Sequence, residues 1–200
     1  MTRDDERRAR SNEAPIVGGL PDFPGILVAM NLAPGLAVHL RGLADELLVK
    51  DFPGATITRG ERELLATAVS AANDCFYCMD THGAFACAVA PELSPLLDDV
   101  KAGGARGVSA KLAALLAIAR TVAKHGRQLT GAEVQSARDA GASDADTQLA
   151  VLIAAGFAMY NRMVDGLRAK TPSSVDAYAA RAEQIAAHGY SDARINAVPR

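Results

Sequence analysis

The chain has 200 residues, half of them hydrophobic, with aromatics at only 4%, no tryptophan and a net charge of −2. That is apolar material for one domain with a sizeable core. The near-neutral charge gives no electrostatic reason to expect nucleic acid or an anionic membrane as partner, and the shortage of aromatics favours a core of Ala, Leu and Val in closely packed helices over a sandwich or barrel.

Residues 1–22 read as a flexible arm, charged at first and then carrying Pro15, Gly18, Gly19 and Pro21. No signal-peptide apolar stretch follows the charges, and Arg7-Arg8 lacks the apolar run of a twin-arginine signal. No segment is apolar for the length of a membrane span. A cytoplasmic location is expected, with residues 23–190 as a single helical domain and 191–200 as a polar tail. In a reducing cytosol three cysteines, two of them spaced C-x-x-C, point to redox or metal chemistry rather than to a structural staple.

Ile26, Leu27 and Met30 predict a short helix ending near Pro34. Leu36, Leu40, Leu43, Leu47 and Leu48 then recur at helical spacing. Residues 58–73 form the next predicted helix, with Thr58 and Glu61 in the pattern of a capping box and Leu64, Leu65, Ala68 and Ala72 on its buried face. Asn73-Asp74 breaks it and caps another helix that starts near Cys75 and runs to about Val89. Further helices are expected over 92–102, 109–125, 130–141 (Thr130 and Glu133 as a second capping box), 143–169 and 175–188. Nothing reads as strand, so the fold is expected to be an all-α bundle of about seven to nine helices. A faint internal repeat, at a shift of 83 residues, pairs Tyr77 with Tyr160, Glu63 with Asp146 and His82 with Asp165. It predicts a duplicated helical hairpin in which only the first copy keeps the chemistry.

The chemistry is concentrated in Cys75-Phe76-Tyr77-Cys78-Met79-Asp80-Thr81-His82, with Glu63 twelve residues upstream of Cys75. Residues three apart share a helix face and lie within disulfide reach, so Cys75 and Cys78 can cycle between dithiol and disulfide with little backbone movement. The thiolate is the reactive species, and a helix N-terminus favours it at the cysteine nearest that end, Cys75. His82, one turn beyond Cys78, can take a thiol proton. Glu63 can return beside the motif across an antiparallel hairpin. Zinc is the competing reading, with Cys75, Cys78 and His82 as ligands and Glu63 or Cys87 as the fourth, although ligands confined to one helix close a tetrahedron awkwardly. Cys87, set among alanines, reads as a small buried hydrophobe. His39, His125 and His188 read as surface or helix-end residues, Arg162 as a paired structural charge, and Met159 and Tyr160 as core or interface.

This pattern resembles the alkylhydroperoxidase D (AhpD)-like group of the carboxymuconolactone decarboxylase superfamily. Gly60-Glu61-Arg62-Glu63-Leu64 and Gly156-Phe157-Ala158-Met159-Tyr160-Asn161-Arg162 carry the likeness beyond the motif, over about residues 25–170. The resemblance implies an AhpD-like helical bundle assembled as a homotrimer or hexamer. It also implies a thiol peroxidase or disulfide oxidoreductase that needs no metal or flavin, takes a hydroperoxide, and is re-reduced by a dithiol or small redox protein. By the same resemblance Cys78 meets the peroxide, Cys75 closes the disulfide, and Glu63 and His82 relay the proton. The helix-dipole argument chooses Cys75 instead, and the residues alone leave that choice open. Tyr77 stands where the founding peroxidases have a second histidine, so its hydroxyl is a candidate relay group. Two alternatives remain: a decarboxylase-like enzyme using His82 as acid and base, and a non-enzymatic zinc-binding or redox-sensing helical oligomer.

Overall fold

A computed structural model describes residues 13–192 apart from 16 and 173. The expected arm up to residue 12 and the tail from 193 lie outside the described residues. Among these, nine α-helices form: α1 (Leu27–Leu32), α2 (Pro34–Leu48), α3 (Arg59–Ala72), α4 (Phe76–Val89), α5 (Leu97–Lys101), α6 (Ala110–His125), α7 (Gly131–Asp139), α8 (Asp144–Gly166) and α9 (Ala179–His188). Short 3₁₀ turns occupy Pro91–Leu96, Gly126–Gln128 and Val175–Tyr178. The described residues contain no strand, only an isolated bridge between Pro24 and Lys170. The architecture is all-α, as expected.

The capping boxes at Thr58/Glu61 and Thr130/Glu133 form, and Ser143/Asp146 makes a third. The expected helix over 92–102 is divided, with a 3₁₀ turn bracketed by Pro91 and Pro95 before α5. Proline supplies no N–H to an α-helical ladder, which accounts for the tighter turn. The expected second hairpin does not form. Residues 156–158, which the shift of 83 pairs with the α3–α4 turn, lie inside the unbroken α8. Gly156 there lets Leu47 of α2 approach to where a Cβ would stand 2.8 Å from its Cδ1.

Helix α3 is the centre of the bundle and packs against α4, α6 and α8. It is enclosed on nearly every side, so Arg62 and Glu63 are buried along with Leu64, Leu65, Ala68 and Val69. Arg62 is satisfied by the carbonyls of Ile57 and Lys50. The inward stripe of α2 is Ala37, Leu40, Ala44, Leu47 and Leu48, whereas Leu36 and Leu43 are exposed. The expected leucine stripe is therefore rotated: small alanines let the helix approach closely, and two of the leucines face outward.

Asp146 locks the α8 N-terminus to the loop before α3. Its carboxylate accepts from the N–H groups of Thr56 (2.6 Å), Ile57 (3.0 Å) and Ser143 (3.0 Å), and from Thr56 Oγ1 (2.9 Å). Burial alone would raise its pKa, but these hydrogen bonds outweigh burial and hold it at about 2. Because the folded pKa lies below the unfolded value, the ionised carboxylate stabilises the fold above about pH 4, and that contribution is lost as pH falls toward 2. The shift corresponds to about 2 kcal/mol. Urea unfolding at pH 5 and pH 2.5 should show Asp146→Asn losing this part of the acid dependence.

Candidate active site

The turn between α3 and α4 sets the position of the thiols. Asp74 N–H bonds the Ala71 carbonyl (3.1 Å) and Cys75 N–H bonds the Ser70 carbonyl (3.0 Å), the paired pattern that closes a helix C-terminus. Asp74 takes the left-handed conformation this requires, at φ 60°. Asp74 therefore ends α3, and Cys75, with no side-chain cap bond, is the N-cap of α4. Asn161 of α8 braces the turn, donating to Ser70 Oγ and accepting from Asn73 Nδ2, both at 3.0 Å.

Cys75 and Cys78 are both free thiols and both buried. Their environments differ. The Cys75 thiol hydrogen-bonds Cys78, and this bond together with burial pushes its pKa far up, overriding any help from the helix N-terminus. Asp165 of α8 lies within hydrogen-bonding reach of Cys75. Although Asp165 is exposed as a residue, desolvation of its carboxyl, aided by Asp74, raises its pKa to about 6 against the opposing effect of the Cys75 bond. Cys78 and His82, but not Cys75, line a half-enclosed cavity of about 50 Å³.

Glu63 is brought to His82 as expected. His82 Nδ1 stands 2.7 Å from Glu63 Oε2, with Glu63 wholly buried beneath it. The imidazole meets Phe157 and Phe85 edge-on, with centroids at 4.5 and 5.3 Å, which fixes its plane. With Nδ1 engaged, Nε2 is the nitrogen available to the cavity.

Tyr77 lines the same cavity as Cys78 and His82. Its ring lies against Gly25, where a Cβ would come within 2.0 Å of it, and edge-on to Tyr178 at 5.9 Å. Burial raises its pKa to about 12. The tyrosine that touches both Glu63 and His82 is Tyr190. Its hydroxyl donates to Glu63 Oε1 at 2.7 Å and its ring stacks on His82 with an interplanar angle of 22°. Burial, and then the Glu63 charge, drive its pKa well up, so it remains a donor.

The chain after α9 is aimed inward by Asp45, which accepts from the N–H groups of Tyr190 (2.6 Å) and Ser191 (3.0 Å). Gly189, at φ 76°, makes the turn, and a Cβ there would sit 2.9 Å from Asp45 Oδ1. Arg59 ties the end of α9 to α3 through the carbonyls of Ala186 and Ile185. A glycine after His188 followed by one of only four tyrosines was the available sequence signal, but the group that Tyr190 would meet depends on tertiary packing.

Arg41 and Arg181, neither singled out in the sequence, also line the cavity. Cys87 is half-buried rather than buried, and stands apart from the motif in a separate groove with Ala84 and Lys101. Arg162 is exposed and donates to the Ala158 carbonyl. Among the described residues, no three or more His, Cys, Asp or Glu side chains gather as metal ligands, and no helix is long and apolar enough to cross a membrane.

Residues 44–89 match the Carboxymuconolactone decarboxylase family. The matched segment contains Glu63, Cys75, Cys78 and His82. A crystal structure described as an alkylhydroperoxidase AhpD core, an uncharacterized peroxidase-related protein from Ralstonia eutropha JMP134, superposes with a TM-score of 0.68 at 26% identity, covering 80% of this chain and 81% of the other. An uncharacterized peroxidase-related protein from Silicibacter sp. TM1040 shares the fold with a TM-score of 0.64 at 21% identity, covering 84% and 92%. No curated protein matches. The helical arrangement is thus that of the AhpD-like class. Within that fold, the segment that resembles the carboxymuconolactone decarboxylase family is residues 44–89, which run from the end of the second helix through the Cys75–His82 motif.

Proposed function

We propose that the protein reduces hydroperoxides with the Cys78/Cys75 dithiol. The observation that carries this reading is that Cys78 faces the same small cavity as His82, while Cys75, its hydrogen-bonded neighbour, is shut behind it. The Cys78 thiol gives its proton to His82, whose imidazolium is balanced by Glu63. The thiolate attacks the terminal peroxide oxygen and the O–O bond breaks. The departing alkoxide takes the proton back from His82 and leaves as an alcohol. Cys78 is now a sulfenic acid. The Cys75 sulfur attacks it, water leaves, and the disulfide forms. A dithiol or small redox protein returns both thiols. The names of the similar structures, AhpD core and peroxidase-related, support this reading.

We place the protein in the cytoplasm, where such a reductant is at hand, as a homotrimer or hexamer. The large apolar side chains left exposed on α1, α2 and α8, among them Leu32, Val38 and Leu152, support assembly. The family match also accommodates a lactone-acid enzyme using His82 as acid and base. Unchanged turnover of such a substrate after both cysteines become serine would favour it.

The test is one equivalent of hydrogen peroxide on the reduced protein. The expected outcome is a Cys75–Cys78 disulfide seen by peptide mass mapping, with loss of two thiols, and repeated turnover once a dithiol is supplied. Retention of all three thiols would sink the proposal.

A further inference from the structure

The peroxidase reading leaves two charges of its own cavity unused. Arg41 of α2 and Arg181 of α9 both line the space that Cys78 and His82 face. Ion pairs elsewhere in the described residues join other side chains, such as Lys101 with Asp80 and Arg106 with Asp99, and none takes Arg41 or Arg181. Arg41 Nε is buried with no hydrogen-bond partner. The pKa of Arg41 is lowered, first by burial and then by the charge of Arg181. Two guanidinium groups lining one cavity and close enough to repel, one with an unsatisfied buried donor, raise the free energy of the empty site. An anion placed between them relieves both the repulsion and the missing hydrogen bond.

We propose that the cavity takes a short hydroperoxide bearing a carboxylate, held between Arg41 and Arg181 with its terminal peroxide oxygen at Cys78. The remaining walls are mostly apolar, with Ile26, Met30 and Phe157 beside the hydroxyl-bearing Thr81 and Tyr160, and the half-enclosed space is about 50 Å³. Only a few carbons can therefore separate the carboxylate from the peroxide. The planar forks of two arginines suit a carboxylate's two oxygens, and the apolar surroundings disfavour the more highly charged phosphate. This proposal rests on the peroxidase reading. The redox step is unchanged: the O–O bond breaks, Cys78 is oxidised to the sulfenic acid, the carboxylate is untouched, and the product is the corresponding hydroxy acid.

The test compares 3-hydroperoxy-3-methylbutanoate with its methyl ester, which differ in charge at nearly the same size. The wild-type kcat/KM should favour the acid roughly tenfold or more, as expected for charge-assisted hydrogen bonds. That preference should fall toward unity in Arg41→Gln and Arg181→Gln. A second measurement does not depend on turnover. The product hydroxy acid should slow alkylation of Cys78 by iodoacetamide, and its methyl ester should not. Equal use of acid and ester by the wild type overturns the inference and leaves the peroxidase reading standing. Failure to consume either compound, or hydrogen peroxide, overturns the peroxidase reading instead; protection by the hydroxy acid alone then upholds the anion site, and no protection overturns it. Protection by inorganic phosphate equal to that by the hydroxy acid overturns the assignment to carboxylate.

Discussion

Cys78→Ser is expected to abolish peroxide turnover, by about 10³-fold or more, because a serine hydroxyl in the same place is a far weaker nucleophile at neutral pH. Cys75→Ser should behave differently. It should consume one equivalent of peroxide, stop, and leave Cys78 as a sulfenic acid that dimedone traps and mass spectrometry detects. The asymmetry follows from position. Cys78 lines the cavity, whereas Cys75 is fully buried and held protonated by its hydrogen bond to Cys78 and by burial. A buried thiol kept from ionising is a poor first nucleophile, but an adjacent one is well placed to close a disulfide on a neighbour three residues away. If the trapped sulfenic acid appears on Cys75 in the Cys78→Ser variant and not on Cys78 in the other, the order of attack is reversed, and the helix-dipole argument holds after all.

At Cys75 the pull of the helix N-terminus competes with burial and a neighbouring thiol. The start of α4, both predicted capping boxes and the approach of Glu63 to His82 were legible because each depends on a few residues and one turn. The sign of the effect on Cys75 was not legible, because burial and the Cys78 thiol together exceed what a helix N-terminus supplies. The stripe on α2 was misread for a related reason. Leucine spacing marks an apolar face, but which leucines turn inward is decided by where alanines allow another helix to come close. Tyr190 and Arg181 belong to the segment that folds back from the end of the chain, 108 residues beyond His82 in the case of Tyr190. No spacing rule connects residues so far apart. The repeat misled because alanine-rich helices match one another by composition, and a continuous helix can share that pattern with a hairpin.

Glu63→Gln should lower kcat/KM by roughly 10²-fold, at the lower end of what a proton-transfer group contributes, and the loss should be transmitted through His82. Both oxygens of Glu63 are occupied: Oε2 faces His82 Nδ1 and Oε1 accepts the Tyr190 hydroxyl, each at 2.7 Å. With no exposed surface, the carboxylate cannot meet a peroxide itself. In the proposed mechanism it orients the imidazole and balances its charge, which makes Glu63 a positioning residue and His82 the group that moves the proton. Tyr190→Phe keeps the ring stacked on His82 but removes the bond to Oε1, and should cost about tenfold, the equivalent of one hydrogen bond to a charged group. The decisive measurement is a double-mutant cycle. If Glu63 acts only through His82, the variant carrying both Glu63→Gln and His82→Asn should be no slower than His82→Asn alone, because residues that work as a unit are not additive. Additive losses would mean that Glu63 reaches the reacting atoms by another path, and the hydrogen bond from Tyr190 would then have to break during the reaction to free it.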